Sequence, residues 1–122
     1  MNKGDVLATA RVAGIQAAKQ AANLLPMSHP VLIGNVYVNF TIADTHIDVE
    51  VSVDTVDRTG VEMEALTAVT VAALTVYDMC KSIDRTMTIE NVALWEKSGG
   101  RSGSWRREGA PTTGVDGVES KD

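Results

Sequence analysis

The sequence predicts an α+β domain with the element order α-β-β-α-β. Three observations lead there. Two stretches with apolar residues at helical spacing, 6–25 and 60–83, flank a region of strict apolar–polar alternation at 31–54. Pro26 stops the first periodic stretch, and Thr59-Gly60-Val61-Glu62 has the form of a helix start before the second. The length, 122 residues with 44% hydrophobic content, suits one domain with a real core.

Residues 6–25 read as the first helix, with Asp5 as its N-cap. Its body is rich in small residues: Ala10, Ala13, Gly14, Ala17, Ala18 and Ala21. These allow a neighbouring backbone to come close, either within the fold or at a subunit interface. Residues 31–54 read as a β-hairpin. Leu32, Val36, Val38, Phe40 and Ile42 share one parity, and Ile47, Val49, Val51 and Val53 share the other across a turn at Ala43-Asp44-Thr45. His46, Asp48 and Glu50 alternate with the second set, which marks strands with one buried face.

Residues 60–83 read as the second helix, opened by a capping box with Thr59 at N-cap and Glu62 at N3. Val61, Ala65, Ala68, Val69, Ala72, Val76 and Met79 recur along one face. A last strand is expected near 87–96, then a Gly/Ser-rich turn. Aromatics make up only 4%, so Val, Ala, Leu and Ile must fill the core. The domain is expected to span residues 1–103. Residues 104–122 are polar, with Gly, Pro and Thr, and read as a disordered tail. The order αββαβ is that of a ferredoxin-like βαββαβ unit without its first strand. An open sheet edge would remain where that strand belongs, to be paired by another protomer or by an upstream segment.

Composition excludes several function classes. The formal net charge is −5, which argues against broad nucleic-acid binding. Cys80 is the single cysteine, and His29 and His46 match no metal-ligand spacing, so neither a metal site nor a cofactor is expected. No apolar h-region opens the chain, and no uninterrupted apolar run approaches the ~20 residues of a membrane span. The expectation is a cytoplasmic protein with no membrane partner.

Asp78 and Lys81 lie at i and i+3 near the end of the second helix, on one face. By spacing alone they are an ordinary surface ion pair. In a cleft, the same lysine could act as acid or base, tuned by the carboxylate. Lys97-Ser98-Gly99-Gly100-Arg101-Ser102-Gly103 follows the last expected strand. Its glycines would let backbone N–H groups approach an anion, with Lys97 and Arg101 supplying charge. It equally reads as a flexible turn. Lys3 precedes the first helix, where a cation fits the dipole poorly. Met27-Ser28-His29-Pro30 is an extended loop whose His29 could donate a proton or simply be solvated. Glu62 and Glu64 suit a helix start. Cys80 reads as a buried structural thiol.

Four segments carry a family resemblance: Lys3-Gly4-Asp5 running through to Lys19, Leu25-Pro26-Met27-Ser28-His29-Pro30, Thr59 through Ala68, and Val71 through Lys81. With the glycine turn from Lys97 to Gly103, they make residues 3–103 similar to the molybdenum cofactor biosynthesis protein C (MoaC) family. The resemblance implies a cyclic pyranopterin monophosphate synthase. Such an enzyme converts a cyclised dihydro-GTP into cyclic pyranopterin monophosphate and releases diphosphate. It further implies a ferredoxin-like fold assembled as a homo-hexamer, a trimer of dimers, with active sites at subunit interfaces. Carried over position by position, Asp78, Lys81 and Lys3 match the family's catalytic residues. Met27, Ser28 and His29 match one substrate-contacting stretch, Met63 and Glu64 another, and Lys97 and Arg101 fall in a turn suited to phosphates. The family pattern also carries a strand upstream of the Lys-Gly-Asp motif, which these residues do not include. Two other readings compete: a shortened relative that oligomerises or binds nucleotide without turnover, and an RNA-binding module of the same fold. The acidic charge and the lack of aromatic-rich strands weigh against the second.

Overall fold

A computed structural model of the chain describes residues 3–57, 59–98, 104–108 and 118–120. The alternating region folds as the expected hairpin, β1 (Ile33–Ile42) and β2 (Ile47–Thr55). Its antiparallel register sets Val36 opposite Val53, Val38 opposite Val51, Phe40 opposite Val49 and Ile42 opposite Ile47. Each apolar residue therefore meets an apolar partner, and a one-residue slip would carry the whole set to the other face. The opposite face pairs Tyr37 with Ser52 and Asn39 with Glu50, and is polar.

Helices α1 (Lys3–Leu24) and α2 (Glu62–Cys80) cover the apolar face. The core joins Ala18 of α1, Val38, Val51 and Val53 of the sheet, and Ala65, Ala68, Val69 and Ala72 of α2. By length and composition α2 could cross a membrane, but here four of its apolar residues are buried in that core. The small residues of α1 serve mainly the contact between the helices. At Gly14 an added Cβ would lie 3.2 Å from the Ala68 carbonyl oxygen and 3.3 Å from both the Ala72 Cβ and a Val38 methyl. Arg11 reaches from α1 to the edge strand, where its Nε donates to the Val38 carbonyl at 2.9 Å and its guanidinium lies 5.6 Å from the Phe40 ring centroid.

The helices run antiparallel, and the hairpin dictates this. Its open end joins Ile33 to Thr55, tied further by Thr55 Oγ1 donating to the Leu32 carbonyl at 2.6 Å. The chain enters that end from α1 and leaves it toward α2. The C-terminus of α1 and the N-terminus of α2 therefore share one end of the molecule. The start of α1 and the end of α2 share the other.

Four expectations need correction. Asp5 does not cap α1, which already opens at Lys3 and holds Asp5 within its first turn. Thr59 does not cap α2: Val61 occupies the N-cap with no side-chain cap bond, and the Glu62 carboxylate turns elsewhere. The last strand of the core is shorter than 87–96: β3 covers only Leu94–Lys97. Asp84 Oδ1 accepts from the backbone N–H and hydroxyl of Thr86, and Asn91 sits at φ 57°, so the chain is turned rather than extended before Leu94. The sheet also gains two strands from the stretch beyond 103. Strand β4 (Trp105–Arg106) pairs antiparallel with β3. Strand β5 (Val118–Ser120) lies between β2 and β3, parallel to both, giving the order β1-β2-β5-β3-β4. The position left open by the expected αββαβ order is thus taken from the C-terminal side. The fold class stands: an α+β, ferredoxin-like core.

The Gly14 contact generates a prediction. Gly14→Val places branched carbons where the α2 backbone already lies, and should lower stability by about 1–3 kcal/mol. A urea-unfolding midpoint matching the parent would show that the helices are not held at this distance.

Candidate functional site

The antiparallel helices sort the candidate residues into two groups at opposite ends of α2. At its C-terminal end Lys81 Nζ lies 2.5 Å from Asp78 Oδ1, with the two side chains 59% and 66% exposed. As it stands this is a solvated pair, worth ~0.2–1 kcal/mol to stability. Cys80 between them is half-buried and unbridged. The backbone of Lys3 opens α1 and so shares this end. The Lys3 side chain and the whole of Arg101 lie outside the described residues.

The second group gathers at the start of α2. Ser28 closes a turn with its N–H on the Leu25 carbonyl at 3.0 Å, leaving Met27 96% exposed at the tip. His29 follows, exposed, near the first turn of α2. There Met63 is partly exposed, while Glu64 is buried, with 6% of its surface accessible. Burial raises the Glu64 carboxyl above its ordinary range; a backbone bond opposes this, the charge of Glu62 adds to it, and His29 lowers it again.

Lys97 reaches this end from β3. Its ammonium lies 3.4 Å from Glu62 Oε1, with only 9% of the lysine side chain exposed. Glu62 faces this lysine and borders the same cavity, a placement that sequence reading did not pick out because its position at a helix start had an adequate explanation in capping. Its carboxylate instead folds back beside Gly60, where an added Cβ would crowd the Glu62 carboxylate oxygens. The glycine supplies the space that aims Glu62 at Lys97. Trp105 was missed too, because it lies in the stretch read as a tail. It stands directly across from Lys97 in the β3–β4 pair, so the two side chains share a sheet face. Glu62, Met63, Leu94, Lys97, Ser104 and Trp105 line an open cavity of about 510 Å³. That volume falls within the usual range for small-molecule sites. Among the described residues no group of three or more His, Cys, Asp or Glu could hold a metal ion.

Along the helix, Glu64 and Asp78 are separated by about 20 Å, from a rise of ~1.5 Å per residue. Within one chain, then, the exposed Asp78–Lys81 pair does not border the cavity. The arrangement places a cavity with a largely buried lysine and an aromatic wall at one end, near the buried carboxyl of Glu64, and the solvated Asp78–Lys81 pair at the other.

Comparison with known proteins gives a consistent result. A sequence model of the MoaC family matches residues 1–100. A cyclic pyranopterin monophosphate synthase of Thermomicrobium roseum is 62% identical over 108 residues, covering 87% of this chain and 65% of that protein. The cyclic pyranopterin monophosphate synthase of a Thermoanaerobacter species is 56% identical over 110 residues, covering 88% of this chain and 70% of the relative. Cyclic pyranopterin monophosphate synthase 3 of Mycobacterium tuberculosis is 55% identical over 121 residues, covering 98% of this chain and 68% of the relative. The chain thus spans about two thirds of the length of these relatives.

The buried Glu64 makes stability depend on pH. Its carboxyl binds a proton more tightly folded than unfolded, so stability falls as pH rises from the ordinary carboxylate range through the raised folded value. Glu64→Gln should be more stable than the parent at pH 7, and the gap should close as pH drops below the ordinary carboxylate range. Denaturant midpoints across that range test this, and a gap that stays constant with pH would contradict it.

Proposed function

The chain belongs to the MoaC family, and on that premise we propose that it is a cyclic pyranopterin monophosphate synthase. In this reading it takes a cyclised dihydro-GTP to cyclic pyranopterin monophosphate and diphosphate, a lyase reaction of molybdenum cofactor biosynthesis. The synthase domain, expected at residues 1–103, extends in this reading to the strands at 105–106 and 118–120, and a cytoplasmic setting goes with a GTP-derived substrate. The observation that carries the reading is the division of the family-matched residues between the two ends of α2.

The reacting ring and ribose of one nucleotide are too short to touch both ends of a 19-residue helix. Asp78 and Lys81 from one subunit therefore meet the cavity of another, and the working unit is a homo-oligomer, a hexamer built as a trimer of dimers. Exposed apolar side chains fit such burial: Val12, Met27 and Leu74 all stand in solvent on the single chain. Burial at an interface would also change the solvated Asp78–Lys81 pair. Removing water strengthens the field of the carboxylate at the ammonium and makes the lysine responsive to its neighbours.

The residues then divide the work. Lys97, with Arg101, holds phosphate oxygens of the substrate; Met27, Ser28 and His29 contact it from the loop after α1, and Met63 and Glu64 from α2. Lys81 and Lys3 move protons as the purine-derived ring opens and the pterin ring closes. Asp78 orients Lys81 and keeps it charged until it donates. Formation of the cyclic phosphate joins a sugar-derived hydroxyl oxygen to the α-phosphorus, and breaks the bond from that phosphorus to the departing diphosphate.

Asp78→Ala and Lys81→Ala should each reduce turnover by about 10²-fold or more, the usual contribution of a positioned acid or base. Because the pair is solvated on the single chain, neither change should lower monomer stability by more than ~1 kcal/mol. Pterin formation and diphosphate release are the measurements, and near-parental rates in both variants would overturn the assignment.

A further inference from the structure

Trp105 stands in a place that its chemistry explains and the proposed catalytic residues do not use. It is 44% exposed, although a tryptophan is the largest apolar surface a chain can bury. Its position across from Lys97 puts it on the helix-covered face of the sheet, at the mouth of the cavity lined by Glu62, Met63 and Leu94.

The ring is also held. Arg107 lies with its guanidinium carbon 5.5 Å from the Trp105 ring centroid. That guanidinium is anchored in turn, since Arg107 Nε donates to the Leu94 carbonyl at 2.9 Å and the Arg107 backbone N–H donates to the Trp95 carbonyl at 2.6 Å. On the other face of the same ribbon, Arg106 pairs with Glu96 at 2.5 Å and fixes the register of β4 on β3. An aromatic ring with a cation over one face, bordering a cavity on the rest of its surface, is a preorganised stacking platform. The cation polarises the ring, and the ordering cost of the side chain is met before any ligand arrives. The neighbours select among planar ligands. Lys97 favours one carrying anionic groups, while Met63 and Leu94 give the ring system an apolar border.

We propose that Trp105 stacks on the planar heterocycle of a purine-nucleotide-type ligand, with Arg107 holding the indole and Lys97 taking the phosphate side. This deepens the proposed synthase reading and rests on it for the ligand class. Trp105 is then a substrate-contacting residue that sets affinity and selects for a flat ring, while Arg107 is a positioning residue that acts through it.

The test uses the full chain, GTP as a non-reacting probe, and inorganic triphosphate as a probe without a ring. In a Trp95→Phe background, Trp105 is the sole indole, and GTP should quench its fluorescence saturably. In the otherwise unaltered chain, calorimetry should show Trp105→Ala weakening GTP by roughly tenfold or more, the usual loss of a base–aromatic stack. Trp105→Phe should restore most of that affinity, and triphosphate binding should be unchanged in both. GTP binding to Trp105→Ala within twofold of the parent would overturn the proposal even if the parent is an active synthase. A parent that binds GTP through Trp105 yet forms no pterin would support the stack and remove the synthase reading instead.

Discussion

The close approach of α1 and α2 at Gly14 is the constraint on which the rest of the structure depends. The Ala68 carbonyl and the Ala72 methyl lie so close that even an added Cβ would have to push them back. A core with so few aromatics has little bulk to spend, so it reaches density by bringing backbones together through Ala and Gly rather than by filling space with rings. Because both helices hang from the open end of one hairpin, their contact also orients them. It fixes which candidate residues can be neighbours within a chain and which cannot.

Electrostatics at the start of α2 follow from the same geometry. The helix begins against the sheet, so its first-turn acids cannot all face water. Glu64 is buried, and Glu62 turns back over Gly60 to meet Lys97. Two carboxylates near a helix N-terminus are ordinarily favourable on the exposed surface. Here one becomes a group whose charge is resisted by burial, and the other becomes the counter-ion of a largely buried lysine. A charge pair with so little solvent cannot rearrange cheaply, which suits a site that must present the same cation to successive ligands. At the far end, Asp78 and Lys81 are each more than half exposed and acquire such character only if another surface covers them.

The parts of this structure that depend on periodicity were legible in the sequence. The hairpin pairs Val38 with Val51 and Phe40 with Val49 as the two parities require, and both helices lie where the apolar spacing puts them. What depends on one side chain choosing between partners was not. Glu62 has the right spacing to cap α2 from Thr59, but a buried ammonium attracts it more strongly than an exposed backbone N–H. The short β3 follows from the turned backbone at Asn91, which no alternation pattern announces. Trp105 lies in a stretch whose composition is polar, and only pairing across from Lys97 gives it a place. The candidate site was legible mainly through long family motifs. The spacing of Asp78 and Lys81 could not by itself distinguish a catalytic pair from a surface one.

With about 20 Å between Glu64 and Asp78 along α2, the proposed site needs two copies of the chain to be complete. Mixing two inactive variants tests that claim most directly. Asp78→Ala damages one end and Lys97→Ala the other. If each site takes one end from each subunit, subunit exchange creates some sites that carry neither change, and activity should recover to about a quarter of the parental value in an equal mixture. Activity that stays at the mean of the two variants, in oligomers shown to contain both, would contradict the account.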